Sequence, residues 1–503
     1  MCEIVLKKSI SADIINNYNK SILYVTVGCG NGARFSLVFG KDSGVFHFGR
    51  FLDSKAQHDM MLNTPMTKLV AAKAAPSVIG QLISIIYNTA DTYFVSRIGN
   101  SASAGVGVVF SIMTIIQALG FGIGMGASPL ISRSLGAKRD EDAYKYGSSA
   151  FACAAVVGFA IMGLGLPVLS KVLVVLGASE TMLPYSMAYA KYILIGAPIM
   201  CSTFVLNNIL RSEGEAAMAT YGMSLGGILN MILDPIFIFR LQLGTGGAAL
   251  ATIISQTVSF SILLSIFIRG KSIVAISPHW VSRDVKDYLT IIKTGMPTMF
   301  RQGMASMASA LLNINARVYG DAAVAAITIS NKVYMLVRQV MIGVGQGFQP
   351  IAGYNYGAGN KRRVREAFQV SCVMGTVICC TAAVAIYFNR GALIGWFRDD
   401  GDVIRIGSAY LTYACAVMPF MAYSTFVNQL YQCLGFSGRA SFLACCRQGV
   451  FFVPLVFTLP RFFGIDGIVA VQPAADLCTF LISIPFQIYF YKKILNLREK
   501  REE

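Results

Sequence analysis

Asn230 and Asp234 stand four residues apart in Gly226-Gly-Ile-Leu-Asn230-Met-Ile-Leu-Asp234-Pro235, inside a run that is otherwise lipid-soluble. On a helix this spacing puts the amide and the carboxylate on one face, where they can hold a proton or one small cation between them. Pro235 removes a backbone donor just beyond. An ionised Asp near the bilayer centre costs about 3 kcal/mol on insertion scales, so the group is tolerated where it faces protein or water and serves a purpose. That is the property of a coupling site; a polar pair stitching two helices together is the plainer reading of the same residues. A second amide and carboxylate, Asn88 and Asp91, stand in Tyr87-Asn88-Thr-Ala-Asp91-Thr92. Two such pairs in one half of the chain point to a shared polar chamber, although Asp91 also suits an interfacial anchor near the end of its helix. Asp476 is the third acidic residue deep in an apolar run.

The elements that position these groups are membrane helices. The chain has 503 residues, 55% apolar and 13% charged, and a mean hydropathy of +0.60, values that fit a polytopic membrane protein. Apolar runs long enough to cross about 30 Å of hydrocarbon recur along it, and the fold expected is all-α. Twelve spans are expected, near 67–96, 104–132, 143–167, 183–208, 217–240, 246–268, 288–317, 322–352, 364–388, 404–430, 438–460 and 464–491. The net charge of +17 sits in short clusters between spans, which speaks for membrane orientation and against nucleic-acid binding. Basic residues gather after the second span (Arg133, Lys138, Arg139, Lys145), the sixth (Arg269, Lys271, Arg283, Lys286), the eighth (Lys361, Arg362, Arg363, Arg365) and the last (Lys492, Lys493, Arg498, Lys500, Arg501), so both termini are expected in the cytoplasm.

The two halves repeat at an offset of 221 residues: Pro76 answers to Pro297, Gly122, Gly124 and Gly126 to Gly343, Gly345 and Gly347, Pro129 to Pro350, Tyr189 to Tyr410, Pro198 to Pro419 and Gly246 to Gly467. Six spans return the chain to the same side, so the repeat is parallel and its axis runs along the membrane normal. The organisation expected is an N-terminal extension (1–61), an N-lobe (62–268), a basic linker (269–287) that Pro278 and Trp280 help to seat, a C-lobe (288–492) and a charged tail (493–503). Residues 1–60 differ in character from the rest, with Gly28-Cys-Gly-Asn-Gly32 and Arg34-Phe-Ser-Leu-Val-Phe. They read either as a small cytoplasmic appendage or as sequence upstream of a start at Met60, Met61 or Met66.

The run Gly120-Phe-Gly-Ile-Gly-Met-Gly126 lies inside a span and lacks the strand and the Lys-Ser/Thr of a phosphate loop, so it reads as helix packing or bending. With no nucleotide motif elsewhere, uphill transport would draw on an ion gradient. Twelve cysteines without metal-ligand spacing read as small packing residues, and His47, His58 and His279 all fall outside the spans. A membrane enzyme is disfavoured for want of a convergent catalytic set, and no resident metal or cofactor is expected.

The chain resembles the multidrug and toxic compound extrusion (MATE) family, in its MepA-like bacterial branch. Pro76, Tyr87-Asn88-Thr-Ala-Asp91-Thr92, Gly122-Ile-Gly-Met-Gly126-Ala, Ser132-Arg133-Ser-Leu-Gly136, Asn230-Met-Ile-Leu-Asp234-Pro235 and Gly353-Tyr-Asn355-Tyr-Gly357-Ala358 carry the resemblance over residues 62–492. It implies two six-helix lobes and a monomeric antiporter in the bacterial inner membrane, moving H⁺ or Na⁺ inward and lipophilic, often cationic, compounds outward. It also implies that Asp91, Asn230, Asp234, Thr252 and Tyr189 form the coupling site, and that the first helix bends at Pro76. Acidic residues that some members carry in the seventh and tenth spans are replaced here by Arg301-Gln302 and by Asp402 at a helix end. Coupling is therefore placed in the N-lobe, while Arg301, Gln302 and Arg338 either line the C-lobe wall, pair with Asp476, or anchor helix ends. A lipid or lipid-linked oligosaccharide flippase of related architecture is the alternative; it would need a strongly cationic cavity, for which the intramembrane positive charges look too few.

Overall fold

The computed structural model describes residues 23–28, 34–39 and 51–494. A short hairpin pairs β1 (Leu23–Gly28) with β2 (Arg34–Phe39); the other described elements are helices. Helix α1 (Phe51–Asn63) leads into α2 (Met66–Ser96), α3 (Asn100–Gly136), α4 (Asp140–Val175), α5 (Leu183–Ser212), α6 (Ala216–Pro235) and α7 (Gly244–Ile268). The second half has α8 (Val285–Ala316), α9 (Asp321–Gly357), α10 (Lys361–Gly395), α11 (Gly401–Cys433), α12 (Ser437–Cys445) and α13 (Phe452–Tyr489). Helix is the form these runs must take in hydrocarbon, where each backbone N–H and C=O needs an internal partner. Among the described residues, nine helical stretches are long and apolar enough to cross a membrane. The more polar α8 and α9 add two crossings, and the stretch Ser437–Lys492 is two crossings broken at Gly464, whose φ of 57° turns the chain. The twelve spans are thus those expected, most of them overrunning the expected ends by several residues.

Glycines let the lobes meet backbone to backbone at the end of the bundle that carries α1. A Cβ on Gly136 of α3 would overlap the Tyr354 carbonyl of α9, and one on Gly357 of α9 would overlap the Arg133 carbonyl of α3. Gly126 packs in the same way on Ile291 of α8, and its repeat mate Gly347 on Ala74 of α2. Within the glycine run, Gly120 lies against Cys201 and Phe204 and Gly124 against Asn208, so its role is close packing.

Helix α1 crosses the expected boundary at residue 61 and touches both lobes. Gln57 donates to the Glu213 carbonyl (2.7 Å), His58 bonds the Tyr354 hydroxyl (2.7 Å), and Arg363 donates to the Thr64 carbonyl (2.7 Å). Burial, with Lys138 nearby, holds the His58 imidazole below its ordinary value. His47 and the extreme termini lie outside the described residues.

The linker is fastened to the N-lobe. The Glu213 carboxylate, fully buried in the α5–α6 turn, accepts from the Ser272 hydroxyl and from the Ile273 and Val274 amides. Ser148 and Ser149 of α4 hold Ser277 and Ser282, and Trp280 packs edge-on against Tyr144. Burial pushes the Glu213 carboxyl up to about 8 from an ordinary 4.5, against three hydrogen bonds that favour its ionised form. A raised carboxyl pKa makes the folded state the tighter proton binder, so the destabilisation is absent below the unfolded value and complete above about 8. The melting temperature in detergent is therefore expected to fall from about pH 5 to about pH 9 more steeply for wild type than for Glu213→Gln. Parallel profiles would show that this carboxyl does not titrate in that window.

Candidate functional site

Four N-lobe helices bring the sequence-predicted polar residues together. Asn230 and Asp234 share a face of α6, and the Asn230 amide donates to Asp234 Oδ1 (3.0 Å) and reaches Thr252 Oγ1 of α7 (3.4 Å). Thr252 spends its own proton on the Ala248 carbonyl (3.1 Å), which leaves its lone pairs to receive the amide. Asp91 of α2, 6% exposed, lies within electrostatic reach of Asp234, which is fully buried. Tyr189 of α5, also fully buried, is in reach of both carboxylates; its hydroxyl faces Thr252 and contacts Met113 Sδ (3.7 Å). Asp91 Oδ1 and Asp234 Oδ2 are buried without a hydrogen-bond partner among the described residues. Two orphaned carboxylate oxygens beside an amide and a hydroxyl make an all-oxygen setting that suits a proton or a hard monovalent cation.

Asn88 does not repeat the role of Asn230. Its amide donates to the Ser84 carbonyl (2.7 Å) within α2, so Asp91 stands without the paired amide that the spacing suggested. Pro76, about four turns earlier on α2, leaves a bend point that polar neighbours surround. Thr220 of α6 donates to the Pro76 carbonyl (3.0 Å), and buried Arg211 of α5 bonds Ser77 and Asn207.

The C-lobe centre is cationic. Asp476 of α13 is 1% exposed and pairs with Arg447, neither with Arg301 nor with Arg338. Arg447 lies in a π-helical turn (Cys446–Val450) and meets both carboxylate oxygens, Nε to Oδ1 at 2.5 Å and Nη2 to Oδ2 at 3.2 Å. The Tyr334 hydroxyl and the Gln472 amide complete the shell of Asp476. Arg447 was missed because a single Arg in Cys445-Cys-Arg-Gln-Gly looks like any helix-end charge; its signal was its place inside the eleventh span. Gln302 is half-buried on α8, and its side chain makes no hydrogen bond among the described residues. No cluster of His, Cys, Asp and Glu fit for a metal ion occurs among the described residues, and the cysteines described are free.

Two six-helix lobes around intramembrane ionisable groups define a multi-pass transporter fold. The sequence pattern of MatE matches residues 76–236 and again 297–458, together more than half of the chain, and the chain belongs to the MatE family. It is 27% identical over 397 residues to the multidrug export protein MepA of Staphylococcus saprophyticus subsp. saprophyticus, covering 79% of this chain and 88% of that protein. To MepA of Staphylococcus aureus (strain MSSA476) it is 26% identical over 418 residues, covering 82% and 92%. Its fold matches a structure described as the outward-facing conformation of a multidrug resistance MATE family transporter of the MOP superfamily, with a TM-score of 0.83, 24% identity, and 87% and 98% of the two chains covered.

Removing one partner of a buried ion pair strands the other charge, which typically costs about 3–5 kcal/mol. Arg447→Met is therefore expected to destabilise the protein by roughly that amount, and Arg447→Met with Asp476→Leu to recover most of it. Chemical unfolding in detergent reads both; an undisturbed Arg447→Met would mean that the pair carries no structural weight.

Proposed function

We propose that the protein exports small lipophilic compounds, many of them cationic, from the bacterial cell in exchange for H⁺ or Na⁺. The observation that carries this reading is the convergence of Asp91, Asn230, Asp234, Thr252 and Tyr189 around two buried carboxylate oxygens without a hydrogen-bond partner among the described residues. Its relatives bear the name of multidrug export proteins, and the family membership supports the same cargo class.

The cycle follows from charge. With Asp91 and Asp234 ionised, the N-lobe face attracts a cationic cargo; a proton or Na⁺ arriving from outside neutralises it and lowers that affinity. A charged pair and a neutralised pair cannot both be populated at one site, so ion entry and cargo exit alternate. Thr220 grips the carbonyl of Pro76, which ties any change in α2 to α6, the helix that carries Asn230 and Asp234. The glycine seams close the end that the charge distribution assigns to the cytoplasm, and opening that end while closing the other moves the site across the membrane.

Efflux of ethidium from proteoliposomes, under pH and Na⁺ gradients imposed separately, tests this. Wild type is expected to respond to one gradient, and Asp234→Asn and Asp91→Asn to fall to the rate of empty vesicles with unchanged melting temperatures. Gradient-driven efflux by Asp234→Asn at wild-type rate would remove the carboxylate pair from the mechanism.

A further inference from the structure

The repeat shows where the two lobes differ in charge. Asp91, Asn230, Asp234 and Thr252 answer to Leu312, Phe451, Leu455 and Pro473, so the C-lobe is apolar where the N-lobe is acidic. Arg301, Arg338, Arg447 and Asp476 answer to Gly80, Gln117, Gly226 and Ser255, so the N-lobe is uncharged where the C-lobe is basic. These sets stand at different depths. Leu312, the mate of Asp91, lies eleven residues beyond Arg301 on α8, about 16 Å along the helix.

Three arginines share the C-lobe centre with one carboxylate. Arg447 is matched by Asp476. Arg301 and Arg338 lie within electrostatic reach of Arg447, and Arg338 also of Arg301 and Asp476, yet neither makes a hydrogen bond or ion pair among the described residues. Each guanidinium offers five N–H donors and keeps its charge under all relevant conditions. Both residues are half-buried. On α2 the mate of Arg301, Gly80, lines a cleft shared by the lobes together with Tyr87, Thr220 and Gln346. By the repeat, Arg301 holds the equivalent position on α8 in the C-lobe.

Two guanidinium groups held in the membrane without a hydrogen bond or ion pair among the described residues mark a binding function by default. We propose that Arg301 and Arg338 form an oxyanion site for a carboxylate or phosphate group on an amphiphilic cargo, with the Arg447–Asp476 pair fixing Arg447 beside it. The site rests on the export reading, since it assigns the C-lobe wall to cargo, and it extends that reading to anionic and zwitterionic amphiphiles. A guanidinium pair matches the planar, multi-oxygen geometry of these groups better than a point charge would. The oxyanion can belong to a free compound or to a lipid head group.

Fluorescein and rhodamine 6G share a ring system and differ in charge, the first an anionic carboxylate and the second a cation without a free carboxylate. Fluorescence polarisation of fluorescein with the full-length protein in phosphatidylcholine nanodiscs reads the site without any gradient, so failed ion-driven ethidium efflux would sink the export reading and leave this measurement standing. Wild type is expected to bind fluorescein about tenfold more tightly than Arg301→Gln/Arg338→Gln, a difference of about 1.4 kcal/mol. Arg301→Lys/Arg338→Lys, which keeps both charges, is expected to fall between them, and melting curves show whether each variant is folded. If phosphatidylglycerol in the disc weakens fluorescein binding by wild type and not by the Gln variant, and native mass spectrometry finds that lipid retained by wild type alone, the head group is the source. Equal fluorescein affinity in wild type and the Gln variant, or no binding by wild type in phosphatidylcholine together with no retained lipid, overturns the proposal.

Discussion

An ionised group held away from water inside a bilayer must be matched by another charge, by hydrogen bonds or by a ligand, and the interior of this protein can be sorted by which of these each group has. Asp476 is matched in full: Arg447 takes both of its oxygens, and Tyr334 and Gln472 take what remains. Glu213, in the α5–α6 turn, accepts from three donors of the linker, which offset part of the cost of its burial. Asp91 and Asp234 each keep an oxygen without a partner, and Arg301 and Arg338 make no hydrogen bond or ion pair, among the described residues. Groups of the first kind hold the structure together, whereas those of the second kind leave capacity for something mobile. The separation follows from counting partners and needs no knowledge of what the mobile species is.

The repeat shows what the fold itself requires. Asn207 donates to the Ala219 carbonyl at 2.8 Å, and its mate Asn428 donates to Ala440 at 2.7 Å, so the same side chain ties the same two helices in each lobe. One turn further along the copies diverge: Arg211 bonds Ser77 in the N-lobe, while Gln432 bonds Thr298 in the C-lobe. The contact survives and the charge does not. Divergence of this kind is possible because helix packing depends on the glycine, proline and amide positions, which the halves share, while the electrostatic character of each lobe depends on a handful of residues free to change.

This division explains what was legible in the sequence. Span number, repeat offset and the packing role of Gly120–Gly126 follow from hydropathy and from matched small residues, which are local and periodic. The cluster of Asn230, Asp234 and Thr252 was legible because two of its members lie one turn apart on the same helix and the family motif supplies the third. Asn88 was misread for a related reason: spacing puts it near Asp91, but an amide in a helix has the carbonyl four residues back within reach, and here it bonds Ser84. The partner of Asp476 was illegible, because Arg447 is 29 residues away across the turn at Gly464 and three arginines were available to one carboxylate. Pairing between helices depends on rotation about their axes, which a π-helical turn such as Cys446–Val450 alters locally.

The seam between the lobes has the chemistry of a contact that can open. Its close approaches are glycine against backbone at Gly126, Gly136, Gly347 and Gly357, with no large side chain lodged in the opposite lobe at those points. Such contacts contribute dispersion energy, which is recovered wherever another surface comes near. Hydrogen bonds across the seam, among them Gln81 to Gln346, Arg133 to the Leu434 carbonyl, Arg363 to the Thr64 carbonyl and His58 to Tyr354, and the partly exposed pair of Lys145 on α4 with Asp287 on α8, join groups that water satisfies once the end is open. Opening therefore strands no buried charge. The groups that would be costly to strand, Asp476 with Arg447 and Glu213 with the linker, are each held within a single lobe or its own linker and travel with it. The proposed rocking of the two lobes requires this arrangement: buried electrostatic pairing inside each lobe and replaceable contacts between them.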